Sequence, residues 1–473
     1  MTLAAPALSP AQMEVRSRVG SLSPRYMITT FGCQMNEHDS EQMAGLLEAM
    51  GFLGTDRLED ADLVILNTCS VREHADERLF GRLGQLKHWR KERPDRILAV
   101  CGCMMKQSIH LERLRARHPF VDLVFGPADL ERFPDLLNRV MRERAPVVDV
   151  SDDPSVPEGL PVRRAYRYRA LVTIMYGCDN FCSYCIVPYT RGRERSRSMD
   201  AVLAELRDLA AEGYPEVLLL GQNVNSYGRD LGHADFPSLL DAAAGIPGLR
   251  RIRFMTSHPK DASDDLFRVM ARHPSICPHL HLPLQSGSSR VLQSMNRGYT
   301  REQYEAIVRL ARDRIPGLAI GTDLIVGYPG ETEADFLETL GVMETVRFDS
   351  AFTFLYSPRA GTPAAVRDDP VDPDVMADRF NRLVTLQQAH AMASGKAEIG
   401  RVRELLVEGR SRSRADTGSG RTIHNRLVHF PLPGAWRGLS DEALQGRFVP
   451  VRILESHGFY LEGDIPAGEG PDA

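Results

Sequence analysis

From Arg25 onward, short apolar runs alternate with stretches of helical period. Tyr26-Met27-Ile28-Thr29-Thr30-Phe31 predicts a strand. Ser40 to Met50 predicts a helix, with Met43, Leu46, Leu47 and Met50 on one face and Gly51 as its stop. Leu63–Asn67 and Ile97–Val100 predict two more strands, separated by a helix through Leu79, Leu83 and Leu86. Val121–Gly126 and Ala128–Arg142 add a strand and a helix. Such alternation predicts an α/β domain with a parallel sheet over residues 25–144. Residues 145–162 hold Pro146, Pro154, Pro157 and Pro161 among acids and read as a linker. Residues 1–23, rich in Ala, Pro and Ser, read as a disordered extension.

Six further apolar runs follow: 171–176, 216–220, 251–254, 279–284, 318–326 and 350–356. Each ends in polar residues, as expected at the top of a parallel-strand barrel. Six units predict an incomplete (β/α)6 barrel over residues 163–397, its open side wide enough for a bulky substrate. Met376–Ala397 reads as a long closing helix. From Arg401 the period changes to alternation with glycine-bearing turns, predicting a small antiparallel β-barrel over residues 398–463.

Composition alters this picture little. The chain has 473 residues and a net charge of −5, so any nucleic-acid surface must be local. One local excess exists: residues 396–426 carry eight Lys/Arg against four Asp/Glu. No run approaches a membrane span and the start lacks an export signal, so the eight cysteines read as metal ligands in a reducing cytoplasm rather than as disulfides.

Cys178, Cys182 and Cys185 form C-x3-C-x2-C directly after the first barrel strand. An iron–sulfur cluster is normally held by four thiolates, so three leave one iron open for a small molecule. A structural zinc site would need a fourth nearby Cys or His, and the next histidine downstream is His233. In the first domain, the predicted strands end at Cys33, at Cys69 and at Cys101-Gly102-Cys103. Ligands bind outside the carboxyl ends of parallel strands, so these cysteines could converge; equally, free cysteines are common core residues. Cys101 and Cys103 compete for the third position.

The triplet, with Tyr184 before its last cysteine, resembles that of the radical S-adenosylmethionine (SAM) enzymes. Gly32-Cys33-Gln34-Met35-Asn36, Asn67-Thr68-Cys69-Ser70-Val71-Arg72 and Gly102-Cys103-Met104 resemble the signatures of their methylthiotransferase family. The C-terminal stretch, at Gly420-Arg421-Thr422, Asn425 and Leu461-Glu462-Gly463, resembles the RNA-binding TRAM module. The resemblance covers residues 25–463. It implies two 4Fe–4S clusters, one on Cys33, Cys69 and Cys103 and one, with SAM, on Cys178, Cys182 and Cys185. Cys101 and Cys277 receive no role.

The implied reaction generates a 5′-deoxyadenosyl radical, abstracts hydrogen from C2 of an adenine, inserts sulfur and methylates it with a second SAM. The family acts on isopentenyladenosine or threonylcarbamoyladenosine in tRNA, or on a ribosomal-protein aspartate. Arg191-Gly192-Arg193-Glu194-Arg195-Ser196-Arg197 and Gln222-Asn223-Val224-Asn225-Ser226-Tyr227 resemble the first type. A non-catalytic, metal-stabilised RNA-binding protein is the rival class, though it would not need two open clusters. Tyr184, Gln222, Asn223, Ser257, His281, Gln285, Gly327 and Gly330 are the candidate cofactor contacts. Arg191, Arg193, Arg412, Arg414 and Arg421 are the candidate RNA contacts. The implied partners are tRNA and an electron donor such as flavodoxin or ferredoxin. The chain is expected to be a cytoplasmic monomer.

Overall fold

The computed structural model of the chain describes residues 8–70, 75–151 and 155–466. The expected extension's residues 1–7, positions 71–74 after the second cysteine motif, and 152–154 of the expected linker lie outside the described residues. The chain forms two compact units. The first contains Met1–Ala165 together with Met175–Asp179 and Cys185–Arg197; the second contains the remainder.

The first unit is built on six parallel strands: β1 (Arg25–Thr30), β2 (Leu53–Gly54), β3 (Leu63–Thr68), β4 (Ile97–Gly102), β5 (Leu123–Phe125) and β6 (Val147–Asp149). Their order is β2-β1-β3-β4-β5-β6. β3 is buried on both faces, which is why it reads as a continuous apolar run. Leu63 and Ile65 join Met43, Leu46 and Leu47 of helix Gln34–Ala49 on one face. Val64 and Leu66 meet Leu79, Leu83, Leu86 and Trp89 of helix Ala75–Glu92 on the other. The chain therefore leaves β1 toward one face and β3 toward the other. The strand order reverses between them, where a crevice opens at the carboxyl ends.

Two expectations are corrected here. Residues 8–23 are not a disordered extension: Pro10–Val19 is a helix, capped by Ser9 in a capping box with Gln12. It buries Val15 and Val19 against Leu137 and Val140. Nor are residues 145–162 a simple linker, because Val147–Asp149 pairs with β5 as the sixth strand. Three residues between prolines and acids were too few to show a period.

The second unit carries β7 (Arg169–Thr173), β8 (Glu216–Leu220), β9 (Arg251–Phe254), β10 (His279–His281), β11 (Ala319–Val326) and β12 (Ser350–Leu355). They form two parallel three-stranded sheets, β9-β8-β7 and β10-β11-β12. The Cys277 N–H donates to the Ile252 carbonyl at 3.0 Å, and Ile252 bridges Ile276, which joins the sheets. The order ends at β7 and β12, so among the described residues the six strands leave the barrel unclosed.

The long helix Pro373–Lys396 leads to a closed barrel of β13 (Val402–Ser411), β14 (Arg414–Arg421), β15 (Leu427–Pro431), β16 (Phe448–Ser456) and β17 (Leu461–Asp464). It is filled by Leu405, Val407, Phe430, Trp436, Val449 and Ile453. The expected antiparallel pairing holds except between β15 and β17, which run parallel. This small barrel stands at the amino-terminal end of the larger one. Arg253 of β9 donates to the carbonyls of Thr422 at 2.8 Å and Ile423 at 2.9 Å, and pairs with Glu216 at 2.7 Å. Arg251 donates to the carbonyls of Arg421 at 2.7 Å and Glu404 at 3.0 Å.

Candidate metal centres and barrel mouth

In the first unit, Cys33 follows β1, Cys69 follows β3 and Cys103 follows β4, all at the carboxyl edge where the strand order reverses. The Cys33 and Cys69 thiols hydrogen-bond to each other; that bond and burial raise the Cys33 thiol well above its ordinary value. Burial also raises Cys103, opposed by Arg191. Two backbone positions make room for the sulfurs. A Cβ on Gly32 would lie 2.5 Å from the Cys69 Cβ, and Gly102, at φ +97°, lies against the Thr68 backbone. Two amides fix the loops. Asn36 Nδ2 donates to the Asn67 Oδ1 at 3.1 Å and the Thr68 carbonyl at 2.8 Å, while Asn67 Nδ2 donates to the Asn36 carbonyl at 2.9 Å.

Cys101 is separated from this group. It is buried in the core, its sulfur 3.7 Å from Met43 Sδ. As strand residues, Cys101 and Cys103 would share a face. The positive φ of Gly102 ends the strand, and Cys103 opens a 3-10 turn instead. Three buried or half-buried thiols in a polar, glycine-lined crevice are soft donors suited to an iron–sulfur cluster.

Arg191 is the residue that sequence reasoning placed wrongly. It was expected to face RNA, but it is buried in the first unit beside these cysteines. Its Nε donates to Cys103 Sγ at 3.0 Å, and its Nη2 to Asp39 Oδ2 at 2.6 Å and Asn36 Oδ1 at 3.3 Å. Burial opposes the charge, but Asp39 and the Cys103 and Cys33 sulfurs outweigh it and hold the guanidinium protonated. Two of the other alternating arginines also meet protein carboxylates, Arg193 pairing with Asp179 at 2.9 Å and Arg197 with Glu158 at 2.8 Å, while Arg195 donates to the Ser155 carbonyl at 3.0 Å and the Arg191 carbonyl at 3.2 Å. Their spacing reflects internal ion pairs and hydrogen bonds within the first unit rather than a phosphate track. Arg193 alone of the two ion-paired ones keeps an exposed side chain.

The C-x3-C-x2-C loop is anchored separately in each unit. In the first, Met175–Tyr176 pairs antiparallel with Arg195–Ser196, and the Cys178 N–H donates to the Gly192 carbonyl at 3.1 Å. Gly177, at φ +78°, lies directly against the Arg193 carbonyl. In the second, the Ser183 hydroxyl shares a hydrogen bond with the Tyr328 hydroxyl at 2.8 Å, and Asn296 Nδ2 donates to the Phe181 carbonyl at 3.0 Å. Arg297 Nη1 donates to Cys182 Sγ at 3.3 Å and to the Tyr184 hydroxyl at 3.4 Å. Arg297 is fully buried, and nothing in its local sequence marked it.

At the carboxyl ends of the barrel strands, Gln222, Asn223, Ser257, His281 and Gln285 occupy the loops or last turns as expected. Ser257 Oγ and His281 Nδ1 are buried without a protein partner, and His281 Nε2 lies 3.1 Å from Asp323. Asn223 is committed to structure: its Nδ2 donates to Asp261 at 2.7 Å. Gln285 has φ +70°, and its backbone bridges to β11. The close approach expected at Gly327 and Gly330 is to protein: Met376 faces the first, Asp369 and Arg367 the second.

On the small barrel, Arg421 pairs with Glu408 at 2.9 Å and Arg414 with Glu462 at 3.3 Å, while Arg403, Arg410 and Arg426 also have carboxylate partners. Most of the local basic excess is thus neutralised in place. Arg412, exposed at the turn between β13 and β14, has no carboxylate partner among the described residues. Cys277 is fully buried and its thiol is pushed up to about 11 by burial. Since the thiolate is the nucleophile, Cys277 is expected to resist iodoacetamide in the folded chain at about pH 8 and to react after denaturation; mass spectrometry of the labelled peptides checks this.

Comparisons with known proteins agree with this layout. Residues 172–343 match the Radical SAM superfamily, residues 25–126 match uncharacterized protein family UPF0004, and residues 396–465 match the TRAM domain. The chain is 49% identical over 442 residues to a protein of Acetivibrio thermocellus named tRNA-2-methylthio-N(6)-dimethylallyladenosine synthase, covering 93% of this chain and 90% of that one. A protein of the same name from Carboxydothermus hydrogenoformans is 49% identical, with 93% and 98% covered. Among solved structures, the radical SAM methyltransferase TsrM from Kitasatospora setae shares the fold at TM-score 0.53 and 17% identity, covering 73% of this chain and 77% of that one. Among the described residues, no helix is long and apolar enough to cross a membrane. With nearly half of its residues identical to theirs along almost its whole length, the chain belongs to the radical SAM methylthiotransferase family of the tRNA-2-methylthio-N(6)-dimethylallyladenosine synthases.

Proposed function

We propose that the chain converts N6-(dimethylallyl)adenosine, beside the anticodon of tRNA, to its 2-methylthio derivative. The observation that carries this reading is the convergence of Cys33, Cys69 and Cys103 in a chain that also holds the C-x3-C-x2-C loop. Each set offers one thiol fewer than a four-iron cluster has irons, so each leaves a position for a small molecule. When bound, the two 4Fe–4S clusters and SAM supply the radical that removes the unactivated C2 hydrogen, and the sulfur and methyl that replace it.

The protein's part is to hold and orient. Cys178, Cys182 and Cys185 would hold the SAM-bound cluster, with Arg297 donating to the Cys182 sulfur and Tyr184 beside it. The unpartnered Ser257 Oγ and His281 Nδ1 are free to hydrogen-bond SAM or the adenosine, with Gln222 and Gln285 near them in the chain's strand-end loops. Asn36 and Asn67 keep the loops of Cys33 and Cys69 together. Arg412 is the cation offered to tRNA phosphates, and Arg193, Arg414 and Arg421 would have to exchange Asp179, Glu462 and Glu408 for a phosphate to join it. A one-electron donor of the flavodoxin or ferredoxin kind would serve a cytoplasmic monomer. Threonylcarbamoyladenosine and a ribosomal-protein aspartate are the alternatives within the family, and the relatives' names favour neither.

The test is anaerobic reconstitution followed by iron counting and nucleoside analysis of treated tRNA. Wild type is expected to hold about eight irons, and Cys33→Ala/Cys69→Ala/Cys103→Ala about four. Only wild type should form the 2-methylthio product from isopentenylated tRNA. About four irons in both proteins, with no methylthio product from wild type, would overturn the reading.

A further inference from the structure

We propose that Arg191 is a positioning residue of the three-cysteine site: its guanidinium is the counter-charge to the sulfurs there and tunes the group they hold. This rests on the reading of Cys33, Cys69 and Cys103 as cluster ligands. Three observations lead to it. First, Arg191 Nε donates to Cys103 Sγ at 3.0 Å, a charge-assisted hydrogen bond to a ligand sulfur. Second, the charge is held in place by one buried carboxylate, Asp39, at 2.6 Å, and by the Asn36 amide oxygen at 3.3 Å. Third, Arg191 Nη1 and Asp39 Oδ1 are buried with no protein partner. A purely structural pair would be expected to satisfy these atoms, since a buried polar group without a partner costs about 1–3 kcal/mol.

Hydrogen bonds and positive charge at ligand sulfurs raise a cluster's reduction potential, because they stabilise the more negative, reduced form. The same cation favours a soft anion at the open iron. The ligand class is hydrosulfide or a small thiolate, the charge type that a sulfur donor would carry. Nη1 is the donor left for it. The residue sits on a five-residue helix, Val187–Arg191, that begins two positions after Cys185. The segment that supplies a cysteine to one site therefore supplies the cation to the other.

The experiment isolates the site in the full-length chain. In a Cys178→Ala/Cys182→Ala/Cys185→Ala background, about four irons should remain; none remaining would sink the underlying ligand assignment, and with it this proposal. Arg191→Met/Asp39→Leu is then added. It replaces both charges with apolar groups of similar size, an exchange that buried pairs often tolerate. Iron content is expected to hold, the cluster's midpoint potential to fall, and its affinity for added sodium hydrosulfide to drop about tenfold or more, the scale of one charge-assisted hydrogen bond. Arg191→Lys, which keeps a cation, should recover part of both. If potential and hydrosulfide affinity equal those of the parent in both variants, Arg191 is structural only and the proposal fails.

Discussion

Gly177→Ala is expected to empty the C-x3-C-x2-C site while leaving the three-cysteine site loaded. Gly177 has φ +78°, and an added Cβ would sit on the Arg193 carbonyl. The left-handed conformation alone costs an ordinary residue roughly 1–2 kcal/mol. The clash is the larger effect, because its partner is backbone held in the Met175–Tyr176 and Arg195–Ser196 ladder and cannot swing aside. The neighbouring Cys178 N–H, donated to Gly192, must then let go, and the first cysteine of the loop moves with it. Reconstituted iron should fall from about eight to about four per chain. Reductive cleavage of SAM should fall to background. Parental iron and SAM cleavage in this variant would show that the loop tolerates a side chain there.

The largest stability loss is expected from Arg253→Met. Arg253 and Glu216 are a fully buried pair, 2.7 Å apart and about 5% and 4% exposed. Removing one partner of such a pair leaves the other charge uncompensated in the interior, at about 3–5 kcal/mol. Two carbonyls, those of Thr422 and Ile423, lose their donors as well. Chemical denaturation of the metal-free chain should show the drop. Adding Glu216→Leu should recover much of it, since an apolar pair is often as stable as a buried ionic one. A single variant that loses under about 1 kcal/mol would mean that water reaches Glu216.

The architecture was legible wherever burial and period coincide. β3 and β4 read as uninterrupted apolar runs because helices cover both their faces, and their terminal cysteines were visible at once. Helix Pro10–Val19 was hidden by composition, although Ser9, Pro10 and Gln12 are a readable start signal. The burial of Arg191 was not legible. Its neighbours Arg193 and Arg197 follow the same alternation, and only tertiary structure brings Asp39 to one, Asp179 to another and Glu158 to the third. The same holds for Arg297 at Cys182, 115 positions away in sequence. Charge counts at the small barrel likewise gave no sign that most of its arginines are already matched to carboxylates. The separation of Cys101 from Cys103 turned on one backbone angle at Gly102 that no strand pattern anticipates.

The small barrel meets the amino-terminal ends of the strands, at Arg251 and Arg253, whereas Ser257 and His281 stand at or just beyond the carboxyl ends. A five-residue strand such as β8 spans roughly 17 Å. An RNA held at the small barrel would therefore have to cover at least that length before a base reached the mouth of the large one. This sets a minimum substrate length. A free nucleoside can occupy the mouth but is too short to reach the small barrel at the same time. Shortening the RNA below that span should weaken binding abruptly rather than base by base, and supplying the missing segment as a separate strand should not restore it.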